Sequence, residues 1–263
     1  MEDRGYQFAD AVYEVIAVVK GRMVDEELHL KRLDRSLREI RMEMPFTAGI
    51  FRLKVAELLR LNRVVNGSLY LQVSRGVSPR NHQIPSAISP SVVMTVRPMI
   101  PPSAEMFGRG VAVITVRDIR WRRPDIKSVS LLPNVLAKDD AVRNDVFEAW
   151  QVDDGIVTEG TSTNAWIVRN GILITHPPTD AILNGITRVA LLKLAEKEGA
   201  SIEERPFSVG EAMAADEAFL TSTSSFLLPV VKIDGRKIGE GTPGPVSRRM
   251  MALYKNHVWT EHA

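Results

Sequence analysis

Three prolines crowd residues 97–102, at positions 98, 101 and 102. Proline lacks a backbone N–H and has a fixed φ, so such a stretch resists both helix and sheet, and the chain is expected to divide there. At roughly 100–200 residues per domain, a chain of 263 residues suits two lobes. These are a small α+β N-terminal lobe over 1–100 and a larger C-terminal lobe over 101–263. In the first, the Val- and Ile-rich run 11–19 reads as a buried strand, turned by Lys20-Gly21-Arg22 into a short strand at Met23-Val24. Asp25 is placed to cap a helix with Glu26 and Glu27 in its first turn, and Leu30, Leu33, Leu37 and Ile40 carry it to about Arg41. A second helix follows Thr47. Residues 67–76 alternate, with Leu69, Leu71 and Val73 on one face. Ser68, Tyr70, Gln72 and Ser74 form the other, polar enough to line a cavity. Another strand, 92–96, leads into the prolines.

Beyond them, strands are expected at 110–116, 146–150, 155–158, 165–168, 172–175, 217–220 and 229–233, and helices at 131–143, 186–198 and 246–255. Many short strands among few helices predict a mixed α+β chain and not regular βαβ winding. Lys plus Arg total 34 against 32 for Asp plus Glu, a balance that gives no reason to expect nucleic acid as a partner. The chain has no cysteine, which removes disulfides and thiolate nucleophiles and fits a reducing cytoplasm. No apolar run approaches the roughly 18–20 residues of a membrane span, and residues 1–6 do not open a signal peptide. A soluble intracellular protein is expected.

Metal chemistry is not expected, because the histidines at 29, 82, 176, 257 and 262 show no ligand spacing with carboxylates. No Gly-rich phosphate loop is present. Trp121 among Arg117, Arg120, Arg122 and Arg123 reads as a strand of surface and cavity residues, since the rest of the chain is not basic. Two segments carry chemistry. In Asp125-Ile126-Lys127-Ser128 a lysine follows an apolar residue and leads into an apolar helix, so partial burial is expected; buried lysines lose their charge readily, as a Schiff-base nucleophile must. In Val157-Thr158-Glu159-Gly160-Thr161-Ser162-Thr163-Asn164 a carboxylate ends an apolar strand before small hydroxyl residues, where it can meet a ring nitrogen or simply close a turn.

Together with seven other segments these form a pattern. They are Asp3-Arg4-Gly5-Tyr6-Gln7-Phe8, Val12-Tyr13-Glu14-Val15, His29-Leu30-Lys31-Arg32-Leu33, Gln72-Val73-Ser74-Arg75-Gly76, Ser78-Pro79-Arg80-Asn81-His82, Gly185-Ile186-Thr187-Arg188 and Thr221-Ser222-Thr223. In this order the chain resembles the fold-type IV (class IV) pyridoxal-phosphate aminotransferases, and within them the D-amino-acid aminotransferase branch.

The resemblance implies a two-domain α+β fold with pyridoxal 5'-phosphate between the lobes. Lys127 would form the Schiff base and shuttle the Cα proton, and Glu159 would keep the pyridine nitrogen protonated. Arg32 would hold the phosphate, with the N–H groups of Ile186 and Thr187 at a helix start and with Ser222 and Thr223. Leu183 would pack on the ring, and Ser162 would contact the cofactor or substrate region. Tyr13, Arg80 and His82 would bind the substrate carboxylate, which suits the planar fork of arginine, and Tyr70 would be a pocket wall. Without the family pattern, Arg32 reads as a helix-surface arginine paired with Asp34 or Glu39, and Arg80 and His82 as a charged surface loop. The implied reaction moves the amino group of a D-amino acid such as D-alanine to a 2-oxo acid such as 2-oxoglutarate, in a homodimer.

Three departures stand out. Ala9-Asp10-Ala11 replaces the family's Gly-Asp-Gly, Pro133 falls early in the helix after Lys127, and family members carry about one more strand pair before Asp3. Either the start is late or a strand of the small lobe is missing, which would expose a sheet edge. The same fold also serves branched-chain aminotransferases, (R)-amine transaminases and aminodeoxychorismate lyases, against which Arg80 and His82 argue. A non-catalytic paralogue would not need both Lys127 and Glu159.

Overall fold

A computed structural model of the chain describes residues 2–261, so His262 lies outside the described residues. The chain forms two compact units. One runs up to Ile100 and takes back Ile126–Leu131; the other comprises Pro101–Asp125 and Leu132–Glu261. Residues 126–131, which include Lys127, were expected in the C-terminal lobe and belong instead to the first unit.

The first unit contains α1 (Arg4–Phe8), β1 (Ala11–Val19), β2 (Arg22–Met23), α2 (Glu26–Glu39), α3 (Ala48–Asn62), β3 (Gly67–Ser74) and β4 (Ser91–Pro98). Its antiparallel sheet has the order β2-β1-β3-β4. Alternation gives the sheet two different faces. Val12, Ile16 and Val18 of β1 join Leu69, Leu71 and Val73 of β3 in a core with Leu33 and Leu37 of α2 and Phe51 and Val55 of α3. Tyr13, Tyr70 and Gln72 point the other way and are half-buried. Thr47 caps α3 by accepting from the Ile50 N–H at 3.3 Å. Asp25 does not act as expected: it sits before α2 at φ 53° without a side-chain cap bond, and Glu26 and Glu27 alone complement the helix start.

The edges of this sheet explain the returning segment. The short β2 covers only Val18 and Val19 of β1. Along the start of β1, residues 126–131 take the open edge: the Tyr13 N–H donates to the Lys127 carbonyl at 2.9 Å and the Val129 N–H to the Ala11 carbonyl at 3.1 Å. Ile126 is buried in the same core. At the far edge, Val92 and Val93 of β4 remain exposed.

The second unit contains α4 (Ala104–Arg109), β5 (Val111–Arg117), α5 (Leu132–Arg143), β6 (Glu148–Asp153), β7 (Ile156–Gly160), β8 (Asn164–Arg169), β9 (Ile172–Thr175), α6 (Ile186–Lys197), β10 (Ile202–Glu204), α7 (Val209–Met213), β11 (Glu217–Ser222), β12 (Phe226–Ile233), β13 (Arg236–Lys237) and α8 (Pro245–Asn256), and ends in a π-helical turn at His257–Glu261. Its mixed sheet has the order β10-β9-β8-β11-β12-β5-β6-β7, with β13 against β12. Parallel pairing joins β9 to β10, β12 to β5 and β5 to β6. Trp150, Ile167, Phe207, Leu220 and Leu228 lie in its core. Pro133 is the second residue of α5, where a missing N–H costs no helical bond. The arginine-rich stretch is not a strand: β5 ends at Arg117, and residues 118–131 form an irregular loop. No helix among the described residues is long and apolar enough to cross a membrane.

A buried carboxylate anchors α8 to this sheet. Glu217 accepts the N–H groups of Val246 at 2.9 Å and Ser247 at 2.7 Å, two donors that no intrahelical carbonyl can satisfy. Gly244 at the N-cap makes room, since a Cβ there would overlap the Glu217 side chain. Glu217→Ala leaves both N–H groups without this partner, at about 1–3 kcal/mol for a buried unsatisfied group. The thermal midpoint of this unit should fall by roughly 4–8 °C, with Glu217→Gln falling less, as measured by calorimetry. Equal midpoints for Glu217→Ala and the unsubstituted protein would remove this role.

Candidate active site

In the first unit, Lys127 is held by its backbone. Its carbonyl pairs with Tyr13, and its N–H donates to Ser36 Oγ at 3.4 Å. Ser36 lies one turn after Arg32 on α2, so these two residues share a helix face. The Lys127 side chain is half-buried, with Nζ 4.2 Å from the centre of the Tyr13 ring. Tyr13 stacks on Tyr70 at 5.7 Å, and Tyr70 donates to Gln72 Oε1 at 2.6 Å. Burial pushes the Tyr70 hydroxyl above its ordinary value of 10.0. Lys127, Tyr13 and Tyr70 therefore form one amine-and-phenol cluster on the open face of the sheet.

Arg32 pairs with a residue that sequence reasoning did not assign. Its Nε and Nη2 donate to the two oxygens of Glu14 at 2.8 and 2.6 Å, and His29 donates from Nδ1 to Glu14 Oε2 at 2.7 Å. Alternation along β1 carries Glu14 inward, where it is 1% exposed. Burial pushes the Glu14 carboxyl up, but Arg32 and His29 pull it further down, to about 2 from 4.5. Burial likewise pushes His29 below its ordinary value, against the pull of Glu14. The neutral His29 ring then keeps Nδ1 as the donor.

Arg80 and His82 stand apart from this cluster. Both are exposed, and both lie against Phe8: the Arg80 guanidinium is 4.9 Å from its centre and the His82 ring 5.2 Å. Among the described residues, no hydrogen bond or ring contact joins either to Tyr13, Tyr70 or Lys127. Their loop is nevertheless built. Buried Arg4 donates to the Asn81 carbonyl at 2.6 Å and to Asp10 at 2.9 Å, and Arg75 donates to the same Asp10 at 2.7 Å. Burial raises the Asp10 carboxyl, but Arg75 and Arg4 bring it below its ordinary value. The segments around Arg4 and Arg75 thus serve to fix the loop that carries Arg80 and His82. Ala9, where the family has glycine, adopts φ 55° at the end of α1, a left-handed conformation costly for a residue with a Cβ.

In the second unit, Glu159 lies inside β7 and not after it, because the strand pairs as far as Gly160. Its Oε1 accepts from the Leu183 N–H at 3.0 Å and from Arg120 Nη1, and its Oε2 accepts from Asn164 Nδ2 at 3.0 Å. Asn164 also donates to the Leu183 carbonyl at 2.8 Å, so Leu183 is tied to Glu159 from both sides of its peptide. The hydroxyl loop after Glu159 folds over a second buried carboxylate: Glu148 accepts from Thr161 at 2.6 Å, Thr163 at 3.3 Å and Ser162 at 3.5 Å. Ser162 itself is exposed.

The start of α6 is suited to an anion. Its N-cap is Gly185, which offers no side-chain acceptor to the first N–H groups, and Ile186 and Thr187 are buried. A Cβ at Gly185 would overlap Asn164 Oδ1, so the close approach requires glycine. Ser222 and Thr223 follow at the end of β11; Ser222 Oγ accepts from the Ser225 N–H at 3.0 Å and closes that turn. An uncapped helix start for phosphate, a buried carboxylate for a ring N–H and a positioned lysine amine are the donor set that pyridoxal phosphate needs, so the residues fit this group.

The family model for class IV amino-transferases matches residues 11–233, and the chain belongs to that family. It is 42% identical over 263 residues to the D-alanine aminotransferase of Bacillus licheniformis, covering 100% of this chain and 93% of the relative. The branched-chain amino acid aminotransferase of Escherichia coli superposes with a TM-score of 0.91 at 24% identity, covering 100% of this chain and 90% of that one, a likeness of fold. The pyridoxal-phosphate form of the Thermobaculum terrenum branched-chain enzyme superposes with a TM-score of 0.84 at 27% identity, covering 98% and 88%.

The Glu14–His29–Arg32 group has a pH signature. His29 is held below 6.5 when folded, so below that pH the unfolded chain binds a proton that the folded one does not, and stability falls. The slope is at most about 1.4 kcal/mol per pH unit. Glu14, depressed to about 2, contributes stability that is complete above 4.5 and lost only as pH falls from there. Denaturant unfolding at intervals from about pH 7 to 5 should show a shallower decline for His29→Asn than for the unsubstituted protein. Parallel declines would mean that His29 titrates alike in both states.

Proposed function

We propose that this chain is a pyridoxal-phosphate transaminase that moves the amino group of D-alanine, or a similar D-amino acid, to a 2-oxo acid such as 2-oxoglutarate, as a homodimer in the cytoplasm. Similarity along the whole chain to D-alanine aminotransferases carries this reading, and the cluster of Lys127, Tyr13 and Tyr70 supports it. When bound, pyridoxal phosphate supplies the electron sink that makes the substrate Cα–H acidic.

The protein's own groups do the rest. Arg32, oriented by Glu14, and the N–H groups of Ile186 and Thr187 bind the phosphate, with the hydroxyls of Ser222 and Thr223. Glu159 holds the proton on the ring nitrogen, and Leu183, fixed through its peptide to Glu159 and Asn164, packs on the ring. Lys127 would hold the cofactor, and its Nζ, when not bonded to it, would be the base that moves the Cα proton. Tyr13, Arg80 and His82 bind the substrate carboxylate, with Tyr70 as a wall. Family members dimerise with the active site near the subunit contact, and the exposed Arg80–His82 loop suits a place at that contact. Fixing the carboxylate fixes which Cα hydrogen faces Lys127, and so fixes the D preference.

Purified protein should produce pyruvate from D-alanine and 2-oxoglutarate but not from L-alanine. Lys127→Ala should abolish turnover, since a positioned acid–base group alone is worth on the order of 10²–10⁴ in rate and the covalent anchor is lost too. A preference for L-alanine, or near-native turnover by Lys127→Ala, would end the assignment.

Arg80→Ala tests the carboxylate clamp separately. It should raise KM for D-alanine and 2-oxoglutarate alike, by about one to two decades, the loss expected for a charge-assisted hydrogen bond. Steady-state kinetics with both substrates measure this, and unaltered constants would remove Arg80 from the site.

A further inference from the structure

We propose that Arg120 is the positioning residue for Glu159, held in turn by Asp118. The proposal rests on the reading of Glu159 as the partner of the ring nitrogen.

Arg120 reaches four groups at once. Nη1 donates to Glu159 Oε1, Nε and Nη2 donate to the Asp118 carboxylate at 3.0 and 2.6 Å, and Nη2 also reaches Thr158 Oγ1 and the Ala181 carbonyl, each at 3.3 Å. The Thr158 hydroxyl donates to Asp118 at 2.9 Å. The Arg120 side chain is only 5% exposed and that of Glu159 only 6%. Burial works against the Arg120 charge, but Glu159 and Asp118 together raise its proton affinity well above the ordinary value, and Asp118 is lowered in return.

Two consequences follow. A buried carboxylate is costly without a paired charge, and Arg120 supplies that pair to Glu159 whether or not a ring nitrogen is present. Asp118, Arg120 and Glu159 also place one positive charge between two carboxylates. The group is complete only when another cation meets Glu159, which a protonated pyridine nitrogen does. Arg120 thus aims Glu159, and Asp118 keeps Arg120 from cancelling it.

The surroundings of Arg120 provide a direct test. It lines a cavity of about 530 Å³ together with Asp118, Trp121, Arg122, Thr158 and Ala181. Truncation to Ala would open a space continuous with that cavity and shaped for a guanidinium ion. The test uses the holoenzyme with D-alanine and 2-oxoglutarate, and the apoenzyme titrated with pyridoxal phosphate, each with and without tens of millimolar guanidinium. Arg120→Ala should lower kcat about ten- to a hundredfold with little change in KM, the range for losing a hydrogen bond between charged groups. It should also weaken cofactor binding and shift the visible absorption band of the bound cofactor in the direction seen for Glu159→Gln. Guanidinium should restore rate, affinity and band, while sodium at equal ionic strength should not. Arg120→Lys, which keeps the charge, should fall between the two.

Glu159→Gln separates the inference from the reading beneath it. If Glu159→Gln is slow and spectrally altered while Arg120→Ala matches the unsubstituted enzyme, the positioning role is wrong and the reading of Glu159 stands. A slow Arg120→Ala with an unaltered band and no response to guanidinium would make Arg120 merely structural and overturn the proposal. An unaltered Glu159→Gln would overturn both.

Discussion

The pairing of residues 126–131 with the open edge of β1 fixes where the Lys127 amine can be. An edge strand presents unpaired N–H and C=O groups that must find partners. Here β2 is too short to cover β1, and the returning segment completes the ladder through Tyr13 and Ala11. Because the bonded carbonyl is that of Lys127 itself, its Cα is held by main-chain geometry and not by the lysine side chain. The side chain then carries its Nζ to the face of the Tyr13 ring. Ile126 in the core and Ser36 on α2 fix the segment on its other sides.

Buried carboxylates are the second device. Glu14, Glu148, Glu159 and Glu217 are each less than a tenth exposed, and each sits in or at the end of a strand. Desolvating a carboxylate is expensive, so every one is surrounded by donors. Their partners divide them by task. Glu217 meets the backbone N–H groups of a helix start and ties that helix to the sheet; Glu148 gathers the hydroxyls of the loop after Glu159. Glu14 and Glu159 meet arginines.

What was legible in the sequence follows the range of the interactions involved. The apolar run of β1, the alternation of β3 and the helix after Thr47 are local patterns, and the structure reproduces them. Alternation also put Tyr70 and Gln72 on the open face. Asp25 had the right side chain for a cap, but its backbone turns left-handed and its side chain makes no cap bond. The five-residue helices α1 and α7 are shorter than two turns and leave no periodicity to read. Arg120 was beyond reach for a different reason. Its bond to Glu159 spans 39 residues, and the surrounding arginines Arg117, Arg122 and Arg123 look alike in sequence. Of those, Arg122 is exposed and pairs with Asp153, so only the fold separates the buried arginine from its neighbours.

The same reasoning explains why the start of α6 is left without a cap. Ser, Thr, Asp or Asn at the N-cap would satisfy the first N–H groups and stabilise the helix by about 0.5–2 kcal/mol. Gly185 forgoes that, and the space its Cβ would fill is taken by Asn164, whose amide is spent on Glu159 and the Leu183 carbonyl. One glycine thereby does two things. It leaves the first N–H groups of α6 without a side-chain cap, and it lets Asn164 lock the peptide of Leu183 to the Glu159 carboxylate. The start of α6 and the Glu159 carboxylate are then linked through a single side chain, that of Asn164.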